Sequence, residues 1–110
     1  MILTSKQRAF LRSLAINEDT ILMVGKGGMS AQIIKQADDA LKARELIKGK
    51  VLETAGVSPR EIAEQLALET ASEVVQVIGA KFVLFRRNPD EPKIELPKAK
   101  KGGRTSKNTR

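Results

Sequence analysis

The stretch Thr20-Ile21-Leu22-Met23-Val24-Gly25-Lys26-Gly27-Gly28-Met29-Ser30 changes character twice. Thr20 to Val24 is β-branched and apolar without polar alternation, the pattern of a short buried strand. Gly25 to Gly28 ends it. Ser30 is then the N-cap of a helix whose apolar stripe is Ile33, Ile34, Ala37 and Leu41, with Lys35, Asp38, Asp39 and Lys42 on its other side. The next run, Leu46 to Leu52, reads as a second strand with Ile47 and Val51 on one side and Lys48 and Lys50 on the other. A strand, a glycine loop, a helix and another strand place the chain in the α/β class.

The flanks extend this pattern. Thr4-Ser5-Lys6-Gln7 is a Thr-x-x-Gln capping box opening a helix to Ala15, with Phe10, Leu11 and Leu14 apolar and Lys6, Arg8 and Arg12 forming a basic side. Ser58-Pro59-Arg60-Glu61 opens a third helix with Ser as cap, Pro at the first helical position and Glu closing a capping box; Ile62, Ala63, Leu66 and Ala67 are its stripe. Val74 to Ile78 and Phe82 to Phe85 form a hairpin whose Gly79-Ala80 loop, with Gly first, suits a type II′ turn. The order is helix, strand, helix, strand, helix, strand, strand: one compact domain with a four-stranded mixed sheet packed with helices. Apolar residues on both sides of the hairpin and of the first strand predict central positions for them, and the Lys48/Lys50 strand is the expected edge. Beyond Arg87, Pro89, Pro92 and Pro97 fall close together and apolar content drops, so folding is expected to end near there. Residues 98–110, with six basic groups and no acidic one, read as a disordered basic tail to a domain spanning 1–97.

Composition narrows the chemistry. The 110 residues contain no His and no Cys, which excludes disulfides, Cys/His zinc sites, thiol nucleophiles and imidazole bases. Asp38-Asp39 point about 100° apart on a helix and Glu61 is used in a cap, so neither Asp38-Asp39 nor the Glu61/Glu64 pair makes an acid/base or metal site. The chain is expected to be no enzyme and to need no cofactor or small-molecule substrate. No apolar run approaches the roughly 18 residues of a membrane span and no secretory signal is visible, so the expectation is a cytoplasmic protein with no membrane partner. The net charge of +7 favours an anionic partner. It is unevenly placed: residues 1–97 carry 14 basic and 13 acidic groups, and within them the first 50 residues hold nine basic against five acidic.

The glycine loop supplies a mechanism. Glycines allow positive φ and close approach of the backbone to a ligand, the N-terminus of the following helix favours a phosphate oxygen, and Lys26 adds a charge there. A Gly-x-x-Gly loop clamps a nucleic-acid backbone in this way in KH domains. A dinucleotide fingerprint fails because Ser30 stands where its last glycine belongs, and a P-loop fails because Gly27 follows Lys26. The plain alternative is a tight turn without a ligand.

Leu3-Thr4-Ser5-Lys6-Gln7, Gly25-Lys26-Gly27-Gly28, Glu45-Leu46-Ile47-Lys48, Gln76-Val77-Ile78-Gly79 and Phe85-Arg86 stand in the order and spacing of YhbY-type proteins, and over residues 2–97 the chain resembles this branch of the CRM domain family. The resemblance implies a small RNA-binding domain with a fold like the C-terminal domain of translation initiation factor three and a KH-like Gly-x-x-Gly loop. It also implies a bacterial protein of ribosome biogenesis acting on precursors of the large ribosomal subunit; plant organelle relatives act in splicing. Gly49 departs from the family, which usually has a branched apolar residue there, and suggests a bulge. Phe85 replaces a frequent tyrosine.

Gly25, Lys26, Gly27 and Gly28 are thus the expected backbone clamp, with Lys6, Arg8, Arg12, Lys48, Lys50 and Arg86 as further RNA contacts. With three Phe and no Tyr or Trp, base stacking on an aromatic sheet is not the expected mode. The partner expected is ribosomal RNA, bound by a monomer. The alternative is an adaptor that docks on a ribosomal protein or translation factor and touches RNA only through its tail.

Overall fold

The computed structural model describes residues 3–97; the tail 98–110 lies outside them. Each helix starts where its cap is encoded. In α1 (Ser5–Ala15) the Thr4 hydroxyl accepts from the Gln7 N–H at 3.0 Å and the Gln7 side chain accepts from the Thr4 N–H at 3.0 Å. Ser30 caps α2 (Ala31–Arg44) by accepting from the Ile33 N–H, and Ser58 and Glu61 form the reciprocal box of α3 (Pro59–Thr70). Such caps satisfy backbone donors that a helix start otherwise leaves open.

The strands are β1 (Thr20–Val24), β2 (Leu46–Val51), β3 (Glu73–Ile78) and β4 (Lys81–Phe85), in the order β1-β2-β4-β3. β1 and β2 are parallel, and β4 runs antiparallel to β2 and β3 between them, so the sheet is mixed. Gly79, at φ +59, opens the two-residue loop between the paired Ile78 and Lys81, as a type II′ turn requires.

The strand positions correct the expectation drawn from polarity. β2, with Lys48 and Lys50, is central, and the edges are β1 and β3. The lysines on β2 are half-buried on the sheet face that carries α1, on a central strand and not on an edge. Gly49 is not itself the bulged residue: the irregularity lies opposite it, at Thr20/Leu22 in β1, while on its other side it pairs directly with Phe82, where a Cβ would lie 2.3 Å from the ring's Cζ. The ring occupies the space a side chain would take. The irregularities fall at Thr20/Leu22 in β1 and Val74/Gln76 in β3.

Two cores flank the sheet. On one face, α2 and α3 bury Ala37, Leu41, Ile62, Ala63 and Leu66 against Leu22, Val24, Ile47, Val51, Phe82 and Leu84. On the other, α1 sets Leu11 and Ala15 on Leu46, Val75, Val83 and Phe85, joined by Leu3. Phe85 is fully buried there among apolar side chains, a place where a hydroxyl would need a partner.

Folding also continues past Arg87. Residues 88–97 form neither helix nor strand, yet Ile94 and Leu96 pack on the α1 core and the Gln7 side chain donates to the Pro97 carbonyl at 2.9 Å. Glu45 holds this segment. Its buried carboxylate accepts from the backbone N–H groups of Asn88 (2.6 Å), Lys93 (2.8 Å) and Ile94 (2.8 Å). Burial pushes its pKa up, but those three donors together with nearby Arg87 outweigh it and leave the group below the usual glutamate range.

Candidate nucleic-acid interface

The Gly25–Gly28 loop leaves the C-terminal end of β1 and enters α2. The Gly28 N–H donates to the Gly25 carbonyl at 2.9 Å, closing a four-residue turn, and Gly27 takes φ +98 at its third position, the pattern of a type II turn. The two faces of this turn differ. A Cβ on Gly28 would meet Val57 at 3.3 Å and the Ala55 carbonyl at 3.5 Å, so Gly28 is seated against the segment between β2 and α3. A Cβ on Gly27 would meet nothing within 4 Å. The outer side of the turn is therefore bare backbone, with the exposed Lys26 beside it. Behind it the N–H groups of Ala31 and Gln32, in the first turn of α2, have no intrahelical acceptor. Bare backbone, open N–H groups and a cation are what an anionic oxygen needs to approach closely.

The remaining expected contacts fall into two groups. Lys48 and Lys50, half-buried on β2, point to the face that carries α1. Lys50 pairs with Met23, two residues before the loop, on one side and with Lys81 on the other. Lys81 was not singled out by the sequence, because its place beside Lys50 depends on the β2–β4 pairing. Among the described residues the ion pairs engage Lys35, Arg44, Arg60 and Arg86, and none involves Lys6, Arg12, Lys26, Lys48, Lys50 or Lys81. Those six cations remain available.

Arg8 and Arg86 are committed to the fold. The Arg8 guanidinium donates to the Val74 carbonyl. Arg86 donates to the Asp38 carboxylate at 2.6 Å, to the Asp38 carbonyl at 3.1 Å and to the Thr70 carbonyl at 2.8 Å, tying the end of β4 to α2 and α3. Its side chain is only 21 % exposed. The Arg86 hydrogen bond holds the Asp38 carboxyl below its ordinary range. Lys6 is exposed at the start of α1 and Arg12 is half-buried one turn beyond Arg8, on the helix that covers the same sheet face as Lys48 and Lys50. The structure brings Lys26 and the β2 lysines to the loop end of the sheet; the α1 residues belong to the helix packed over the Leu46/Phe85 end.

Among the described residues no cluster of His, Cys, Asp and Glu could hold a metal ion, and no helix is long and apolar enough to cross a membrane.

The chain is 44 % identical over 96 residues to the Bacillus subtilis protein named probable RNA-binding protein YqeI, covering 87 % of this chain and all of that one. A Haemophilus influenzae protein named RNA-binding protein is 34 % identical over 96 residues, 87 % of this chain and 96 % of that one. The solution structure of Staphylococcus aureus SAV1595 superimposes with a TM-score of 0.70 at 46 % identity, covering 87 % of this chain and all of the other. Residues 3–86 match the CRS1 / YhbY (CRM) domain model, a span running from the α1 cap to the arginine that locks β4 to the helices, and the chain belongs to that family.

Proposed function

We propose that this protein is a non-catalytic RNA-binding protein that engages ribosomal RNA as an assembly factor of the large subunit, working in the cytoplasm as a monomer. The observation that carries the reading is the Gly27 position. It is backbone held at positive φ with open space around it, next to the exposed Lys26 and in the loop that leads into the N-terminus of α2. A phosphate can reach this backbone without meeting a Cβ, and any side chain at Gly27 would obstruct it. The loop fixes position on the RNA, the free lysines supply affinity, and the fold of the RNA supplies selectivity. The names of the relatives support RNA as the ligand; the ribosomal assignment rests on the YhbY resemblance.

Lys26→Asp/Gly27→Asp tests this. No neighbour occupies the space at Gly27, so the domain stays folded, with a backbone penalty of about 1 kcal/mol for the positive φ. Gel-shift titration against large-subunit ribosomal RNA should show at least about tenfold weaker binding. Unchanged affinity with an unchanged circular dichroism spectrum would remove the loop from the mechanism.

A further inference from the structure

Met23, Lys50, Lys81 and Ile78 form one row across all four strands: Met23 pairs with Lys50, Lys50 with Lys81, and Lys81 with Ile78. Directly paired residues share a face of a sheet. This row lies at the end from which the Gly25–Gly28 loop departs, beyond the rows that α1 and residues 88–97 cover. Met23 is 53 % and Ile78 63 % exposed. Lys81 is exposed and Lys50 half-buried. Lys48, in the next row, pairs with Val83, which pairs with Gln76, so neither row contains an acidic residue.

Lysines on an edge strand have an ordinary explanation, protection against strand pairing with another chain. That explanation fails here, because β2 and β4 are the two central strands. Lys50 and Lys81 sit on the part of this face beyond α1, with two apolar side chains at its margins, and Lys48 borders it beside the buried Val83. We infer that this open half of the sheet is a second RNA contact, taking the single-stranded chain that continues from the glycine loop. Phosphates lie against the ammonium groups of Lys48, Lys50 and Lys81, whose stems rest on the sheet. Unstacked bases lie against Met23 and Ile78. A duplex brings phosphates but keeps its bases stacked inside, so only a single strand uses both kinds of group. The inference rests on the reading of the glycine loop as an RNA contact.

The test is fluorescence anisotropy of the full chain with labelled oligouridylate, alone and annealed to oligoadenylate, over a series of salt concentrations. Lys50→Gln/Lys81→Gln should weaken single-strand binding about tenfold and lower the slope of log K against log salt by about 1.4, two phosphates at roughly 0.7 each. Lys42→Gln/Lys93→Gln, removing the same charge from exposed positions away from the row, should change neither. Met23→Ser/Ile78→Ser should weaken single-strand binding and leave duplex binding as it is. An unchanged slope in Lys50→Gln/Lys81→Gln, while Lys26→Asp/Gly27→Asp still binds poorly, would overturn the sheet contact alone and leave the face to an acidic protein partner. An equal loss in Lys42→Gln/Lys93→Gln would reduce the effect to net charge and overturn it too. Wild-type affinity in Lys26→Asp/Gly27→Asp would instead defeat the loop reading.

Discussion

Glu45 combines three features that are costly singly: it is fully buried, charged, and at φ 67 and ψ −39 as the C-cap of α2. A non-glycine residue there stores about 1–3 kcal/mol of backbone strain. Its three N–H donors from residues 88–94 offset that cost, and its own carbonyl accepts from the Arg86 N–H at 2.8 Å. Glu45→Gln keeps the shape but loses the charge, and urea unfolding near neutral pH should show a loss of about 2 kcal/mol. The folded-state pKa is lowered, so this contribution is full above the usual glutamate range and disappears as pH falls through the folded value. The stability gap between wild type and Glu45→Gln should therefore close in acid; a gap constant with pH would contradict the account. At Gly49 the constraint is space. Gly49→Ala forces the fully buried Phe82 ring to move and should cost about 1–3 kcal/mol in the same measurement. A neutral result would show that the ring has somewhere to go.

Local signals encode the elements, and non-local ones decide how they assemble. The Thr4, Ser30 and Ser58 caps and the Gly79-Ala80 turn each depend on residues within a few positions, and each was readable from the sequence, as was β1 from Thr20 to Val24. The glycine loop was equally visible. Strand order was not, because alternation along β2 says that one side is polar without saying whether an edge or half of an uncovered face makes it so. The place of Lys81 beside Lys50 is hidden for the same reason, and so are the bonds of Arg86, expected as an RNA contact, to Asp38 and Thr70 on other elements. The segment 88–97 escaped notice because backbone N–H groups hold it to Glu45, and composition does not report them. Ending the chain after Arg87 removes all three donors and uncovers the face beneath Ile94 and Leu96, so thermal unfolding should show a loss of about 3 kcal/mol or more, whereas ending it after Pro97 should leave stability as it is. Equal stability of the two would make the segment a passive appendage.

Over the whole molecule, the +7 charge separates into two contributions. Residues 1–97 are nearly balanced, and the excess lies in residues 98–110. Within 1–97, the free cations Lys26, Lys48, Lys50 and Lys81 gather at the loop end of the sheet, while Arg8 and Arg86 hold the fold together. Opposite faces of one sheet differ in cover: α2 and α3 pack one face, and the other is closed at the Glu45 end and open at the loop end. Binding driven by the tail alone would be electrostatic and indifferent to this geometry. A nitrogen–proton correlation titration of the full chain with ribosomal RNA separates the two possibilities. The largest backbone amide shifts should fall on Lys26 to Gln32 and on Met23, Lys50 and Lys81, with α3 unmoved. Shifts confined to residues 98–110, with the Gly27, Gly28 and Ala31 amides unchanged, would contradict the central claim that the glycine loop holds the RNA backbone.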